Sequence, residues 1–203
     1  MTFLARDLEV APERVERWVA GFHERHGIGP AEWSGVRLVR VAGADGATAV
    51  AEYFPYDPLG VVLVRRGGYA VGLAQEGRFL ATKVGTRHVQ SRTAAGGWSQ
   101  QRFARRRSNQ ADALTDGVAG HALRILLQGN ESPAPSAADL PAALVVGGDR
   151  TLVGQVLADQ RLRALADLPR RAFYDLPDPR RDVLDRALQR GRAVRLHLLE
   201  PGT

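Results

Sequence analysis

Cysteine is absent from this chain of 203 residues. That absence removes a disulfide framework, a thiolate nucleophile, an iron–sulfur cluster and a cysteine zinc site together. Long apolar runs are absent too. Nothing approaches the ~20 consecutive apolar residues of a membrane helix, and Arg6, Asp7 and Glu9 stand where a signal peptide is apolar. The chain therefore reads as cytoplasmic, with no membrane partner. Lysine is nearly absent. Of 28 Lys and Arg residues only Lys83 is a lysine, so the excess over 22 Asp and Glu, a formal +6, is carried by arginine. Guanidinium groups are planar forks that suit phosphate, which favours an anionic partner such as nucleic acid. A GC-rich genome accounts for the same bias. With 44% hydrophobic and 25% charged residues, the composition is that of a globular chain with a buried core, which excludes disorder and fibrous architectures.

What is present is periodic. Val15, Trp18, Val19 and Phe22 share one helical face between Pro12 and Gly27. Two strands follow, around Val36–Val41 and Ala47–Phe54, joined by the turn Ala44-Asp45-Gly46. The proline-bearing Phe54-Pro55-Tyr56-Asp57-Pro58 then suggests a boundary. From Val61, short strands punctuated by Gly67-Gly68 and Glu76-Gly77 predict an antiparallel meander reaching Arg92. Phe103, Ala111, Leu114, Val118, Ala122 and Ile125 predict one long helix, and the segment from Gly129 to Pro141 reads as a loop. Strand-then-helix units at 143–146 with a helix from Thr151, and at 172–174 with a helix from Asp178, precede a last apolar run, 193–199. The expectation is an α+β fold with a mixed sheet and helices. Residues 1–58 form an N-terminal helix plus β-hairpin extension and residues 59–203 a catalytic domain. The element order resembles a ribonuclease H-like domain and the middle domain of eukaryotic release factors.

Few common chemistries fit. Metal-dependent nucleolysis on such a sheet needs converging carboxylates, yet Val61 to Arg66 holds none and Leu144-Val145-Val146 offers only Asp149 beyond its end. No Gly-x-Ser-x-Gly elbow supports a serine hydrolase. His23 and His26, three apart, read as an exposed polar pair, and His121 and His197 as core or edge residues. Gly147-Gly148-Asp149-Arg150 reads first as a strand-to-helix turn and second as a phosphate loop. The segment from Gly85 to Arg107 is different. A polar, basic stretch bearing His88 and Arg92 leads to Gly96-Gly97-Trp98-Ser99-Gln100. Arg102, Arg105, Arg106 and Arg107 then crowd six helical residues. Such crowding is self-repelling without an anion, and phosphate is its natural counter-charge.

Gly97-Trp98-Ser99-Gln100, with His88 twelve residues before the glutamine and a long basic helix after it, resembles the Gly-x-x-Gln loop of the release-factor-like peptidyl-tRNA hydrolases. This VLRF family joins the eukaryotic Vms and ANKZF ribosome quality-control proteins with actinobacterial relatives, and the likeness spans roughly Val61 to Leu199. Eukaryotic relatives carry an arginine seven residues before the glutamine; Thr93 stands there, with Arg92 adjacent. The resemblance implies a metal-independent ester hydrolase, without cofactor, that frees nascent peptides from peptidyl-tRNA on the large ribosomal subunit. Gln100 would be catalytic, supported by Gly97 and Ser99; His88, Arg92, Trp98, Arg102, Arg105, Arg106 and Arg107 would meet RNA. Trp98 either stacks on a terminal base or anchors the loop. Two other readings stay open: cleavage of the tRNA near its 3′ end, and a non-catalytic module that binds ribosomal RNA. The oligomeric state is not legible.

Overall fold

The computed structural model describes residues 3–86, 99–128 and 140–202, with side chains of the 99–128 stretch described from Gln110 onward. The chain runs β1 (Phe3–Val10), a 3-10 turn (Pro12–Arg14), α1 (Val15–His26), β2 (Ala31–Ser34), β3 (Arg37–Ala42) and β4 (Thr48–Glu52). Next come β5 (Leu59–Arg65), β6 (Gly68–Gln75), β7 (Arg78–Thr86) and α2 (Ser99–Ala122), which continues into a wider π-type turn (Leu123–Leu127). The last elements are β8 (Ala143–Gly148), α3 (Arg150–Leu157), a 3-10 segment (Gln160–Leu165), β9 (Arg170–Phe173), α4 (Arg181–Arg192) and β10 (Val194–Pro201). They form two compact units: residues 1–55 with 189–203, and residues 56–188. The α+β expectation holds, with two sheets in place of one.

The first unit is an antiparallel sheet in the order β1-β10-β4-β3-β2. One face is covered. Val15, Val19 and Phe22 of α1 are buried with Leu38, Val41, Ala49, Leu196 and Leu198, the helical face that the sequence spacing predicts. Gly27, at φ 76°, ends α1 in a backbone region that residues with a Cβ resist. Two expectations are corrected. The N-terminal region is more than a hairpin, because β1 pairs with β10 along eight residues. The run 193–199 also lies in this sheet, not beside β8 and β9. The reason is in its pattern: Val194, Leu196 and Leu198 are buried while His197 and Leu199 are exposed. Such alternation suits a sheet with one wet face.

The second unit has the order β7-β6-β5-β8-β9, with β5-β6-β7 an antiparallel meander and β8 and β9 parallel to β5. Here both faces are covered. Leu59 to Val64 and Ala143 to Val146 are buried at every position, the continuous apolar text of central strands. One face packs against α2 and α3 through Val62, Val64, Val71, Val118, Leu126, Leu152 and Val153.

The Gly147–Arg150 segment is a strand-to-helix turn. Gly148 sits at φ 99°, and a Cβ there would strike the Val64 carbonyl. Asp149 caps α3, its Oδ1 accepting from the N–H groups of Thr151 at 2.9 Å and Leu152 at 3.1 Å. A carboxylate already fills the place a phosphate would need. His23 and His26 are half-buried, not an exposed pair, and His26 Nδ1 meets Asp45 Oδ2 at 2.9 Å. His197 is exposed on the open face of the first sheet, 2.8 Å from Asp7 Oδ1. Of the long loop expected at 129–141, residues 129–139 lie outside the described residues.

Candidate functional site

α2 organises the residues singled out in the sequence. Ser99 and Gln100 open it, so both belong to the first turn, where backbone N–H groups lack intrahelical acceptors and no acidic side chain intervenes. His88, Arg92, Gly97 and Trp98 lie outside the described residues. The helix also sets the placement of Arg102, Arg105, Arg106 and Arg107. Leu114, Val118 and Ala122 mark its buried line. At about 100° per residue, Gln100 lies five turns before Val118 on that line, and Arg107 falls beside it. Arg102, Arg105 and Arg106 occupy the opposite side. By this register three of the four arginine positions share one face of the helix.

The other end of α2 is rooted in the second sheet. Tyr69 of β6 and His121 stack with ring centroids 5.1 Å apart, and Tyr69 Oη lies 2.7 Å from His121 Nε2. Arg124 Nη2 lies 2.5 Å from His121 Nδ1. Because a guanidinium has only protons to give, Nδ1 must accept, so the ring proton sits on Nε2 and is donated to Tyr69. Burial first, then the charges of Arg124 and Lys83, hold His121 below the ordinary histidine range, in keeping with that neutral form. Arg161 adds a second tie, reaching Asp116 Oδ1 of α2 and Asp159 Oδ2, each at 2.6 Å.

These contacts fix the direction of the helix. Tyr69 meets His121, while Leu126 Cδ2 lies 3.3 Å from where a Cβ on Gly60 would stand, and Gly60 pairs with Leu73. From 121 to 126 the chain thus advances as β6 does from 69 to 73, antiparallel to β7. Toward its N-terminus α2 runs past the sheet end where β7 leaves at Thr86. With a rise of 1.5 Å per residue, Gln100 stands about 30 Å along the axis from His121. The arrangement is a long arm with an anchored root and a glutamine in its first turn. Sequence reasoning missed the root. Tyr69 and His121 are 52 residues apart, and no local pattern announces such a pair.

The second unit is thus a mixed sheet that holds one end of a long helix, and the first turn of that helix carries a glutamine. Residues 57–197 match the model of the family described as Actinobacteria/chloroflexi VLRF1 release factor, and the chain belongs to that family. No curated protein matches the chain.

Proposed function

We propose that this protein is a peptidyl-tRNA hydrolase that releases nascent peptides from tRNA on stalled large ribosomal subunits. The observation that carries the reading is the place of Gln100 in the first turn of α2, about 30 Å from the helix root, in a chain of a release-factor family. The sheet order of the second unit, a meander followed by two parallel strands, supports the ribonuclease H-like expectation as well.

The reaction adds water to the ester joining the peptide to the tRNA 3′ oxygen. The C–O bond breaks, the peptide leaves as a carboxylic acid, and the ribose oxygen takes a proton. The carbonyl is already activated, so the demand on the protein is positioning and charge stabilisation. The Gln100 side chain offers a carbonyl that accepts from water and an NH2 that donates. Free N–H groups of the first turn, at the positive end of the helix dipole, favour the developing oxyanion. Arg102, Arg105 and Arg106, on one face, take RNA phosphates as counter-charges, and Arg107, Arg92 and His88 are further RNA-binding residues in this reading. Gly97 lets the loop approach the tRNA end closely, and Trp98 supplies an aromatic surface there.

Sizing the products of purified protein acting on ribosome-bound peptidyl-tRNA tests the reading. Free peptide and full-length tRNA are expected. A shortened tRNA would replace ester hydrolysis by nucleolysis, and intact peptidyl-tRNA would leave only a binding module. Affinity for the ribosomal complex is also expected to fall steeply with salt, each phosphate contact adding about 0.7–0.9 to the log–log slope. Arg102→Ala combined with Arg106→Ala lowers that slope.

A further inference from the structure

The first unit holds a cleft that the family match largely leaves out, since the match begins at residue 57. Its volume is about 700 Å³, within the range of small-ligand sites. One wall is a single stripe of α1 and the turn before it: Arg14, Arg17, Trp18, Gly21 and Arg25 recur at intervals of three, one, three and four. The facing wall comes from the end of β1 and from the junction of α4 with β10, and includes Glu9 and Arg190.

The charges are unbalanced. Among the described residues lining the cleft Glu9 is the one carboxylate, and it is already engaged, its two oxygens taking Arg190 Nε at 2.7 Å and Nη2 at 3.2 Å. Among the described residues Arg14, Arg17 and Arg25 have no carboxylate partner. Arg14 and Arg17, three residues apart, repel each other, Arg25 two turns further along the same face adds a third like charge, and an anion would relieve this. Between them lies an aromatic surface. Trp18 is half-buried, with its ring 5.4 Å from that of Phe22. Beside it Gly21 leaves a notch, because a Cβ there would meet only the Arg25 guanidinium, at 3.5 Å. Cationic forks around a tryptophan in a concave site suit a ligand with both a phosphate and a planar ring.

We propose that this cleft binds a nucleotide, its base against Trp18 in the notch left by Gly21 and its phosphate on Arg14, Arg17 and Arg25. The nucleotide is either free or one unit of single-stranded RNA. The site is independent of Gln100 and does not require the release reaction.

Calorimetric titration of the full chain with 5′-AMP, inorganic phosphate and a ten-residue oligoadenylate tests this. AMP is expected to bind at least tenfold more tightly than phosphate, because phosphate lacks the stacking ring. Trp18→Leu weakens AMP roughly tenfold and leaves phosphate unchanged. Arg17→Gln with Arg25→Gln weakens both. Gly21→Leu fills the notch and abolishes AMP binding while the melting temperature holds or rises, which keeps the test sound should Trp18→Leu fail to fold. A Gly21-dependent affinity higher for oligoadenylate than for AMP identifies RNA as the source, and the reverse order identifies a free nucleotide. AMP binding unaffected by Gly21→Leu and by the arginine pair, or displaced equally well by polyglutamate, overturns the proposal.

Discussion

The two sheets make opposite uses of their surfaces. In the first unit α1 covers one face and the other stays wet, so β10 alternates: Leu196 and Leu198 are buried while His197 and Leu199 are exposed. In the second unit β5 and β8 are covered on both faces and carry no polar residue at all between Val61 and Val64 or between Ala143 and Val146. The difference extends to a histidine in each. On the open face, hydrogen bonding to Asp7, ahead of Glu52, raises the His197 pKa. At the root of α2, burial ahead of the Arg124 and Lys83 charges lowers that of His121. An exposed sheet face can spend charged pairs on pH-dependent ties. A covered face commits its histidine to one neutral tautomer that orients a helix.

Substitutions in the two cores should mark the extreme of that comparison. Phe22→Ala in the first unit is expected to cost about 3–5 kcal/mol and Leu144→Ala in the second about 2–5 kcal/mol, as both side chains are fully buried. Urea unfolding with amide exchange resolved by residue would assign each loss to its own unit. If Leu144→Ala costs less than Leu199→Ala, which removes a half-exposed side chain, the contrast between covered and open faces is wrong. Next in size is Gly148→Ala, expected to cost about 1–3 kcal/mol from strain at φ 99° and from the Val64 carbonyl. Gly117→Ala, on a helix with nothing within 4 Å of the new methyl, should instead stabilise by up to about 1 kcal/mol. Thermal melts of the two variants should move in opposite directions.

Smaller effects follow from pH, with signs that separate the units. His197 has a folded pKa above its unfolded value of about 6.5, so its contribution is full below that value and is lost as pH rises through the folded pKa. His121 is lowered, so its contribution is full above about 6.5 and is lost as pH falls through the folded pKa. Titration of the two imidazoles by NMR should show His121 losing its proton at lower pH than His197, and the reverse order would refute the neutral form of His121 at the root of α2. Asp159, brought down to about 2 mainly by the Arg161 side chain, should lend a small stabilisation that persists above pH ~4 and fades as pH falls through about 2. Arg161→Ala weakens that acid-side dependence and leaves the part due to the backbone N–H of residue 161.

Legibility in the sequence followed the same divide. The second unit could be read from local text, because meander strands are neighbours in sequence and continuous apolar runs name central strands. Its strands between Val61 and Thr86 and the long helix through Val118 appear as expected, the strand expected at Arg87–Arg92 lying outside the described residues, and the helix is closed by a π-type turn that no propensity signals. The first unit could be read only in part, in α1, β3 and β4. β1 shows almost no buried residue and pairs with a strand about 190 residues away, so neither periodicity nor proximity announces it. For the candidate site, the 3.6-residue period gives Gln100 and the arginines a register relative to Val118, while His88, Arg92, Gly97 and Trp98 lie outside the described residues. The root of α2 stayed hidden because Tyr69, His121, Arg124 and Arg161 converge only in three dimensions.

The central claim is that the amide at the tip of α2 positions water at the ester. Single-turnover peptide release by Gln100→Ala on ribosome-bound peptidyl-tRNA tests it most directly. The account predicts a rate lowered about 100- to 1,000-fold, as for loss of one oxyanion donor, with ribosome affinity kept within a few fold. Release at the unaltered rate would contradict it.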